Sequence, residues 1–138
     1  MRYLLDTNIL VFLMLNQEEL SPRVRAIVKD YSNLLYTSSI CIVELLHLYH
    51  IGKVRRKYKT AGSLLKAVFE EYNNVEILPF GDRQIKTLTE LCVAPGHNDP
   101  FDHAVISHAI ADRLTLISSD RKFEQYQSQR LSFVFNKR

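Results

Sequence analysis

Short runs of apolar residues recur along the chain, separated by longer segments in which apolar residues return at helical spacing. The short runs predict five β-strands, at residues 2–5, 34–37, 75–78, 115–117 and 131–135. The longer segments predict helices at residues 9–15, 22–31, 40–51, 60–72, 82–91, 102–111 and 121–126. Because strands and helices alternate without an Asn-Gly or Asp-Gly hairpin pair, we predict an α/β fold whose mostly parallel five-stranded sheet carries helices on both faces.

The apolar content is enough for one ordinary domain. Of the 138 residues 46% are apolar, so we expect a single domain over residues 1–138. No apolar stretch approaches the roughly 20 residues that span a bilayer, and we therefore expect no membrane segment. Cys41 and Cys92 stand in apolar surroundings outside any CxxC pair, which is typical of small buried side chains in a reducing compartment. We expect a cytoplasmic protein.

Positive charge is concentrated in one part of the chain. The formal net charge of +3 says nothing decisive about partners. The bases cluster at Lys53, Arg55, Arg56, Lys57 and Lys59. Such a run is usually a solvated face, but beside a site for a polyanion it could position phosphates, so these five residues are candidate RNA contacts. Tyr58, inside the run, is the aromatic residue we consider for base stacking.

Acidic residues follow two of the predicted strands. Asp6 comes directly after the strand at 2–5, and Asp120 comes shortly after the strand at 115–117. Ligands of open parallel sheets bind beyond the carboxyl ends of the strands, so both acids are candidate site residues. Each alone could instead be a helix N-cap, a role that Asp fills well.

Three further acids could join this pair. Glu44 has apolar neighbours on both sides, where an unpaired carboxylate needs a cation or an arginine partner. Asp99 and Asp102 flank the start of the predicted helix at 102–111, and either could cap it. The acids are ambiguous one by one, but together they bring carboxylates from separate segments to one edge of the sheet.

Converging carboxylates predict a divalent cation, because they would otherwise repel one another. Hard oxygen ligands favour Mg²⁺ or Mn²⁺. The predicted metal-ligating and catalytic residues are Asp6, Glu44, Asp102 and Asp120. A site of this kind can activate water for phosphodiester hydrolysis, which is nuclease chemistry.

Other polar residues near these acids have less specific interpretations. The candidates for an outer shell that orients ligands are Asp99, Thr7, Asn8 and Ser118. Turn and cap formation remains the alternative for the small ones. The spacing of His97, His103 and His108 does not indicate zinc. We interpret these three histidines as loop or helix-surface residues.

The order of these motifs resembles that of PIN-domain ribonucleases, specifically the VapC-like toxins of type II toxin–antitoxin pairs. The resemblance covers nearly the whole chain and rests on LLDTNIL, Glu44 with its helix, HNDPFDHAVISHA and LISSDRKFEQY. It implies a Rossmann-like three-layer α/β/α fold, RNA cleavage dependent on Mg²⁺ or Mn²⁺, homodimerisation and neutralisation by a cognate antitoxin protein. The four predicted ligands match the family's acidic positions, and Asp99 is the extra acid of a DPFD-containing subgroup.

The chain departs from the family at Leu48 and His103, where relatives often carry Lys and Arg. Two other functions stay open at this point. Haloacid-dehalogenase-like phosphatases also place Asp after the first strand, but they normally need a second Asp where Asn8 stands. A catalytically silent PIN-like module that binds RNA or protein would keep the fold without turnover, although the intact acids favour an enzyme.

Overall fold

The computed structural model describes residues 1–54, 57–72 and 74–138. The described residues form five strands: β1 (Arg2–Leu5), β2 (Leu34–Ser38), β3 (Val75–Leu78), β4 (Thr115–Ser118) and β5 (Ser132–Phe135). These strands make one parallel sheet in the order β3-β2-β1-β4-β5. The helices of this described part are α1 (Thr7–Leu15), α2 (Pro22–Lys29), α3 (Ser39–His50), α4 (Ala61–Glu70), α5 (Asp82–Glu90) and α6 (Pro100–Asp112), with 3-10 helices at Gln17–Glu19 and Arg121–Gln129.

The central strand β1 determines where the acids leave the sheet. Leu5 is fully buried and pairs in register with Thr37 of β2 and Ile117 of β4. The backbone N–H of Asp6 donates to the carbonyl oxygen of Ile117 at 3.0 Å, which continues the ladder one residue beyond β1. Because the strands are parallel, the carboxyl ends of β1, β2 and β4 lie side by side.

Side-chain caps explain where several helices begin. The Ser21 hydroxyl accepts from the N–H of Val24 at 3.2 Å, and Pro22 occupies the first turn of α2, where its missing N–H costs nothing. The Ser38 hydroxyl accepts from the N–H of Ile40 at 3.2 Å and so begins α3 directly at the end of β2. The loop between β2 and α3 is therefore short, which holds α3 close to the edge of the sheet.

The predicted α/β fold and its order of elements are confirmed, and the sheet is parallel throughout the described residues. The last predicted helix, at 121–126, is a 3-10 helix that continues to Gln129. A helix that combines the length and the hydropathy needed to cross a membrane does not occur in the described ranges.

Burial corrects two interpretations made from the sequence. Cys41 is buried as expected, but Cys92 is exposed. His97 and His108 are not surface residues, since their exposed fractions are 2% and 0%.

Candidate active site

The four acids predicted as ligands line one cleft at the carboxyl edge of the sheet. This cavity has a volume of about 290 Å³. It is lined by Asp6, Glu44, Asp102 and Asp120, by Thr7, Asn8 and Lys53, and by the apolar side chains of Val11, Phe12, Leu48 and Val54. Four separate segments of the chain therefore bring carboxylates to one opening, with an apolar wall and a lysine beside them.

Asp6 is the most firmly held of these acids. It is buried, and its Oδ1 accepts from the backbone N–H of Thr7 at 2.8 Å. Its Oδ2 accepts from the hydroxyl of Ser118 at 2.7 Å and from the side-chain amide of Asn8 at 3.3 Å. The N-cap interpretation of Asp6 thus describes one oxygen, while the other faces Ser118 across the β1–β4 pair.

Burial also changes the ionisation of Asp6. The pKa of this carboxyl is raised from 3.8 to about 7, mainly because burial removes its water; the hydrogen bonds from Ser118 and Thr7 oppose the rise, and the charges of Asp102 and Glu44 add to it. Without a cation, the cleft therefore carries a proton near neutral pH. A positive ion would relieve this repulsion and hold Asp6 in its charged form.

Ser118 connects Asp6 with Asp120. While donating to Asp6, the Ser118 hydroxyl accepts from the backbone N–H of Asp120 at 3.1 Å. Asn8 spans the same gap, because its amide oxygen accepts from the N–H of Ser119 at 3.3 Å. Asp120 caps the following 3-10 helix through Oδ1, which accepts from Lys122 at 2.9 Å. The small polar residues around Asp6 thus fix the spacing of two cleft acids.

Glu44 lies half-buried on α3, across the cleft from these strand ends. Burial raises its pKa, and the charges of Asp99 and Asp102 raise it further. The alternative from the sequence, an ion pair with arginine, is not found among the described residues. Arg55 and Arg56 lie outside the described residues.

Asp102 stands in the first turn of α6 and contacts a residue that sequence analysis missed. Its Oδ2 lies 2.9 Å from Nε2 of His97, a buried histidine in the loop before α6. Burial raises the pKa of Asp102, the His97 hydrogen bond opposes this, and Asp99 and Asp120 raise it further. In the described chain, His97, Asp102 and Asp120 offer donor atoms that all lie within 4.8 Å of one another.

Asp99 has a different position from the other acids. It is exposed and caps α6, where its Oδ1 accepts from the N–H of Phe101 at 2.9 Å. It does not line the cleft, although its charge raises the pKa values of Asp102 and Glu44. The capping alternative therefore describes its contacts, and an outer-shell role stays a prediction.

The basic run divides between two surfaces. Lys53 lines the acidic cleft, whereas Lys57 and Lys59 line a separate surface cavity beside α4. Tyr58 is buried, so its ring is not available for base stacking as considered from the sequence. Of the predicted RNA contacts, the structure thus places only Lys53 at the cleft, within the described part of the run.

The donor set suits a hard divalent cation. The charged oxygen ligands in the cleft are four carboxylates, and oxygen ligands with net negative charge are what Mg²⁺ and Mn²⁺ prefer. The raised pKa of Asp6 is the observation that fits a missing positive charge, because this carboxyl has hydrogen bonds but no cationic partner among the described residues. The residues present therefore fit the cation that the sequence predicts.

Comparison with known proteins agrees with this arrangement. The family model of the PIN domain matches residues 3–128. A search of the curated proteins finds no match. The fold is similar to that in the crystal structure of VapBC2 from Rickettsia felis bound to a DNA fragment from their promoter, with 24% identity, 99% of this chain and 100% of that chain covered and a TM-score of 0.70.

Two further solved structures share the fold at lower identity. DNA-bound VapBC from Salmonella typhimurium has 19% identity and a TM-score of 0.67, with 98% of each chain covered. A toxin–antitoxin complex from Klebsiella pneumoniae has 18% identity and a TM-score of 0.54, with 88% of this chain and 89% of that chain covered.

Proposed function

Since the chain belongs to the PIN domain family, we propose that it is a divalent-metal-dependent endoribonuclease and the toxin of a type II toxin–antitoxin pair. One observation carries the nuclease proposal. Four carboxylates from separate segments meet in one cleft, and the most buried of them, Asp6, has a pKa raised to about 7. Such an arrangement is unfavourable in an apo protein and favourable around a cation.

Asp6, Glu44, Asp102 and Asp120 would hold Mg²⁺ or Mn²⁺ in the cleft. When bound, the cation supplies Lewis acidity for hydrolysis of a phosphodiester bond. The chain's own part is to keep these ligands in place. Ser118 does so for two of them, since its hydroxyl donates to Asp6 and accepts from the backbone of Asp120.

Proton transfer is assigned to Glu44. Its carboxyl is half-buried, its pKa is raised, and it faces the strand-end acids from α3. A base with a pKa closer to the working pH accepts a proton from an attacking water more readily than an ordinary carboxylate that remains charged and solvated. Glu44 would take that proton on the carboxylate oxygen that does not hold the cation.

RNA is the substrate that the cleft and its surroundings favour. Lys53 stands beside the acids and would hold a phosphate next to the scissile one. Lys57 and Lys59 lie on a neighbouring surface and would contact the strand further along. Arg55 and Arg56, outside the described residues, stay predicted RNA contacts. The apolar wall around Phe12 gives the cleft a surface that a base can cover.

The toxin assignment rests on the fold. Structures of similar fold are VapBC complexes and a toxin–antitoxin complex, and the chain covers nearly all of the first two. We propose a cognate antitoxin protein as partner, and a homodimer as the assembly, in a cytoplasmic setting. A short neighbouring gene that encodes a DNA-binding domain with a disordered tail would support this role.

The test is cleavage of a labelled total RNA pool by antitoxin-free protein. Wild type is compared with Asp6→Asn, in Mg²⁺, Mn²⁺ and EDTA, and Asp30→Asn is the matched control, because Asp30 is an exposed acid outside the cleft. We expect metal-dependent cleavage by wild type and by Asp30→Asn, and a loss of at least about 100-fold in Asp6→Asn. Equal cleavage by Asp6→Asn would contradict the assignment. Mn²⁺ binding without cleavage of any RNA would favour a catalytically silent RNA-binding or interaction module.

A further inference from the structure

A buried histidine contacts the cleft from behind and has no role in the assignment above. His97 lies between the carboxylate of Asp102 and the hydroxyl of Tyr126, with Nε2 2.9 Å from Asp102 Oδ2 and Nδ1 2.8 Å from the Tyr126 oxygen. Both His97 and Tyr126 are buried. A buried imidazole with a partner on each nitrogen is held in one orientation.

We propose that His97 is a positioning residue for the cation site: it holds Oδ2 of Asp102, so that Asp102 offers its other oxygen to the metal at a fixed distance from Asp120. This inference rests on the proposed metal-dependent nuclease. It concerns how the ligands are held and adds no new ligand.

The partners of the His97 ring indicate which of its nitrogens carries the proton. An ionised Asp102 carboxylate can only accept, so Nε2 donates to it. The Tyr126 oxygen accepts from the backbone N–H of Ala94 at 3.0 Å and can give its own hydrogen to Nδ1 of His97. These partners favour a proton on Nε2, with Nδ1 as the acceptor.

The same assignment argues against His97 as a metal ligand. Its Nε2 lies within 4.8 Å of donor atoms of Asp102 and Asp120, so distance alone would allow coordination. A nitrogen that carries a proton has no lone pair for a cation, and Nδ1 is occupied by Tyr126. A carboxylate fixed by an imidazole N–H is a common way to orient a ligand from the outer shell.

The loop that carries His97 is built to keep it in place. Pro95 and Gly96, with φ +80° at the glycine, form a turn closed by the His97 N–H donating to the Ala94 carbonyl at 3.1 Å. Nε2 of His103, one turn into α6, lies 2.6 Å from the His97 carbonyl oxygen and donates to it. The backbone of His97 is thus held at its N–H by the turn and at its carbonyl by α6.

The loop is also fastened to the helix that Asp120 begins. Gln129 binds the backbone of Cys92 on both sides, with Oε1 accepting at 2.9 Å and Nε2 donating at 2.7 Å. Tyr126 lies on the same 3-10 helix, whose N-cap is Asp120. The chain of contacts from Asp102 through His97 to Tyr126 therefore fixes Asp102 relative to Asp120.

The proton assignment can be read directly by NMR. In ¹H–¹⁵N spectra of the histidine rings, assigned with His97→Gln, we expect the His97 proton on Nε2 and none on Nδ1, both without metal and with Mg²⁺. An Nδ1–H tautomer, or loss of the Nε2 proton when Mg²⁺ is added, would overturn the inference. The first result would reverse the donor to Asp102, and the second would make His97 a ligand.

The effect on the site is measured by calorimetric titration with Mn²⁺. We expect His97→Ala to raise the Kd for Mn²⁺ about tenfold. His97→Gln keeps an N–H donor near the position of Nε2 and should restore most of the affinity. Tyr126→Phe should weaken binding severalfold, because it removes the hydroxyl that fixes the tautomer. Tyr72→Phe is the matched control, since its hydroxyl hydrogen-bonds to Met14, outside the cleft, and should leave the Kd unchanged.

The outcomes separate this inference from the proposed function. If wild type binds neither Mn²⁺ nor Mg²⁺, the metal-dependent function fails and the inference fails with it. If wild type binds Mn²⁺ and cleaves RNA while His97→Ala binds as tightly, the function stands and the inference is wrong. Should His97→Ala not fold, Tyr126→Phe decides, because unchanged Mn²⁺ affinity and an unchanged His97 tautomer in that variant would also refute it.

Discussion

Two histidine–aspartate pairs lie at the two ends of α6 and differ in what they can do. Near its start, His97 contacts Asp102; near its end, His108 lies 3.2 Å from Asp112. The two aspartate side chains are almost equally buried, with 17% and 11% of their surface exposed. Burial therefore does not distinguish the pairs.

The number of partners distinguishes them. Asp112 has protein groups beside both oxygens: Oδ1 accepts from Arg83 at 2.6 Å and from Gln84 at 2.8 Å, and Oδ2 lies 3.2 Å from Nε2 of His108. For Asp102, the described residues supply a hydrogen bond to Oδ2 only. A carboxylate saturated by protein donors is structural, whereas one with an open oxygen beside other acids can still take a cation.

The contacts of His108 also show that its pair has a structural role. Its Nδ1 lies 2.8 Å from the hydroxyl of Ser38, so a serine, a histidine and an aspartate follow one another as in a hydrolase triad. Ser38 and His108 are both fully buried, and the Ser38 hydroxyl caps α3. No substrate reaches this row of residues, and its function is to join β2, α5 and α6.

Removing the negative charge of Asp102 or of Asp112 gives the largest expected difference between the two pairs. Asp102→Asn should lower RNA cleavage by about 100-fold or more, because it removes a ligand charge from the cleft. Asp112→Asn should leave the cleavage rate per folded molecule close to that of wild type. Single-turnover cleavage with saturating Mn²⁺ measures both. A comparable loss in the two variants would erase the distinction between the pairs.

The two pairs should also differ in how metal binding changes the stability of their variants. Saturating Mn²⁺, at about 100 times its Kd, should add about 2.7 kcal/mol to the unfolding free energy of wild type. We expect a similar gain in Asp112→Asn and a much smaller one in Asp102→Asn, since only Asp102 is a proposed ligand. Urea unfolding in Mn²⁺ and in EDTA checks this. A full gain in Asp102→Asn would mean that the cation sits elsewhere.

Asp6 in the cleft and His108 in the buried pair should give stability opposite dependences on pH. In EDTA, the pKa of Asp6 near 7 in the folded protein lies above its value of 3.8, so the folded state holds the extra proton and stability falls as pH rises from about 4 to 7. For His108, burial lowers the pKa below 6.5, so stability falls instead as pH drops through and below that value.

A single substitution at each residue isolates its contribution to the pH dependence of stability. Asp6→Asn should flatten the loss of stability above pH 5, which we expect to be on the order of 1 kcal/mol per pH unit, and should make the metal-free protein more stable than wild type at pH 7.5. His108→Gln should flatten the acid side and leave the neutral side unchanged. Thermal unfolding in EDTA from pH 5 to pH 8 measures both. Parallel wild-type and Asp6→Asn curves would show that Asp6 titrates normally.

The contrast between the two pairs also shows what could be predicted from sequence. Asp6 and Asp120 were predictable, because parallel strands carry the residues that follow them to one edge, and that rule needs only the strands. The element order was predictable from the spacing of apolar residues along the chain. Glu44 and Asp102 joined the set through the cost of burying acids and through motif resemblance, and both line the cleft.

The histidines show why the rest could not be predicted. His97 is five residues from Asp102 along the chain, but the hydrogen bond that orients it comes from Tyr126, which local patterns do not connect to it. His108 is four residues from Asp112, a spacing that permits contact on any helix and says nothing about burial. Side-chain networks depend on contacts between distant segments, whereas periodicity reports only on local structure.

The smallest expected effect tests the saturated pair from its exposed side. The Arg83 guanidinium donates to Asp112 at 2.6 Å and to the carbonyl of Ala111 at 2.8 Å, yet its side chain is 65% exposed. Water can replace both contacts, so Arg83→Met should cost no more than about 1 kcal/mol in unfolding free energy. Asp112→Asn should cost more, because it disturbs His108 and Gln84 as well, neither of which has solvent to turn to. Urea unfolding of both variants and of the double variant measures the coupling. If Arg83→Met were the more damaging of the two, the pair would depend on its exposed ion pair, and the buried contacts would be secondary.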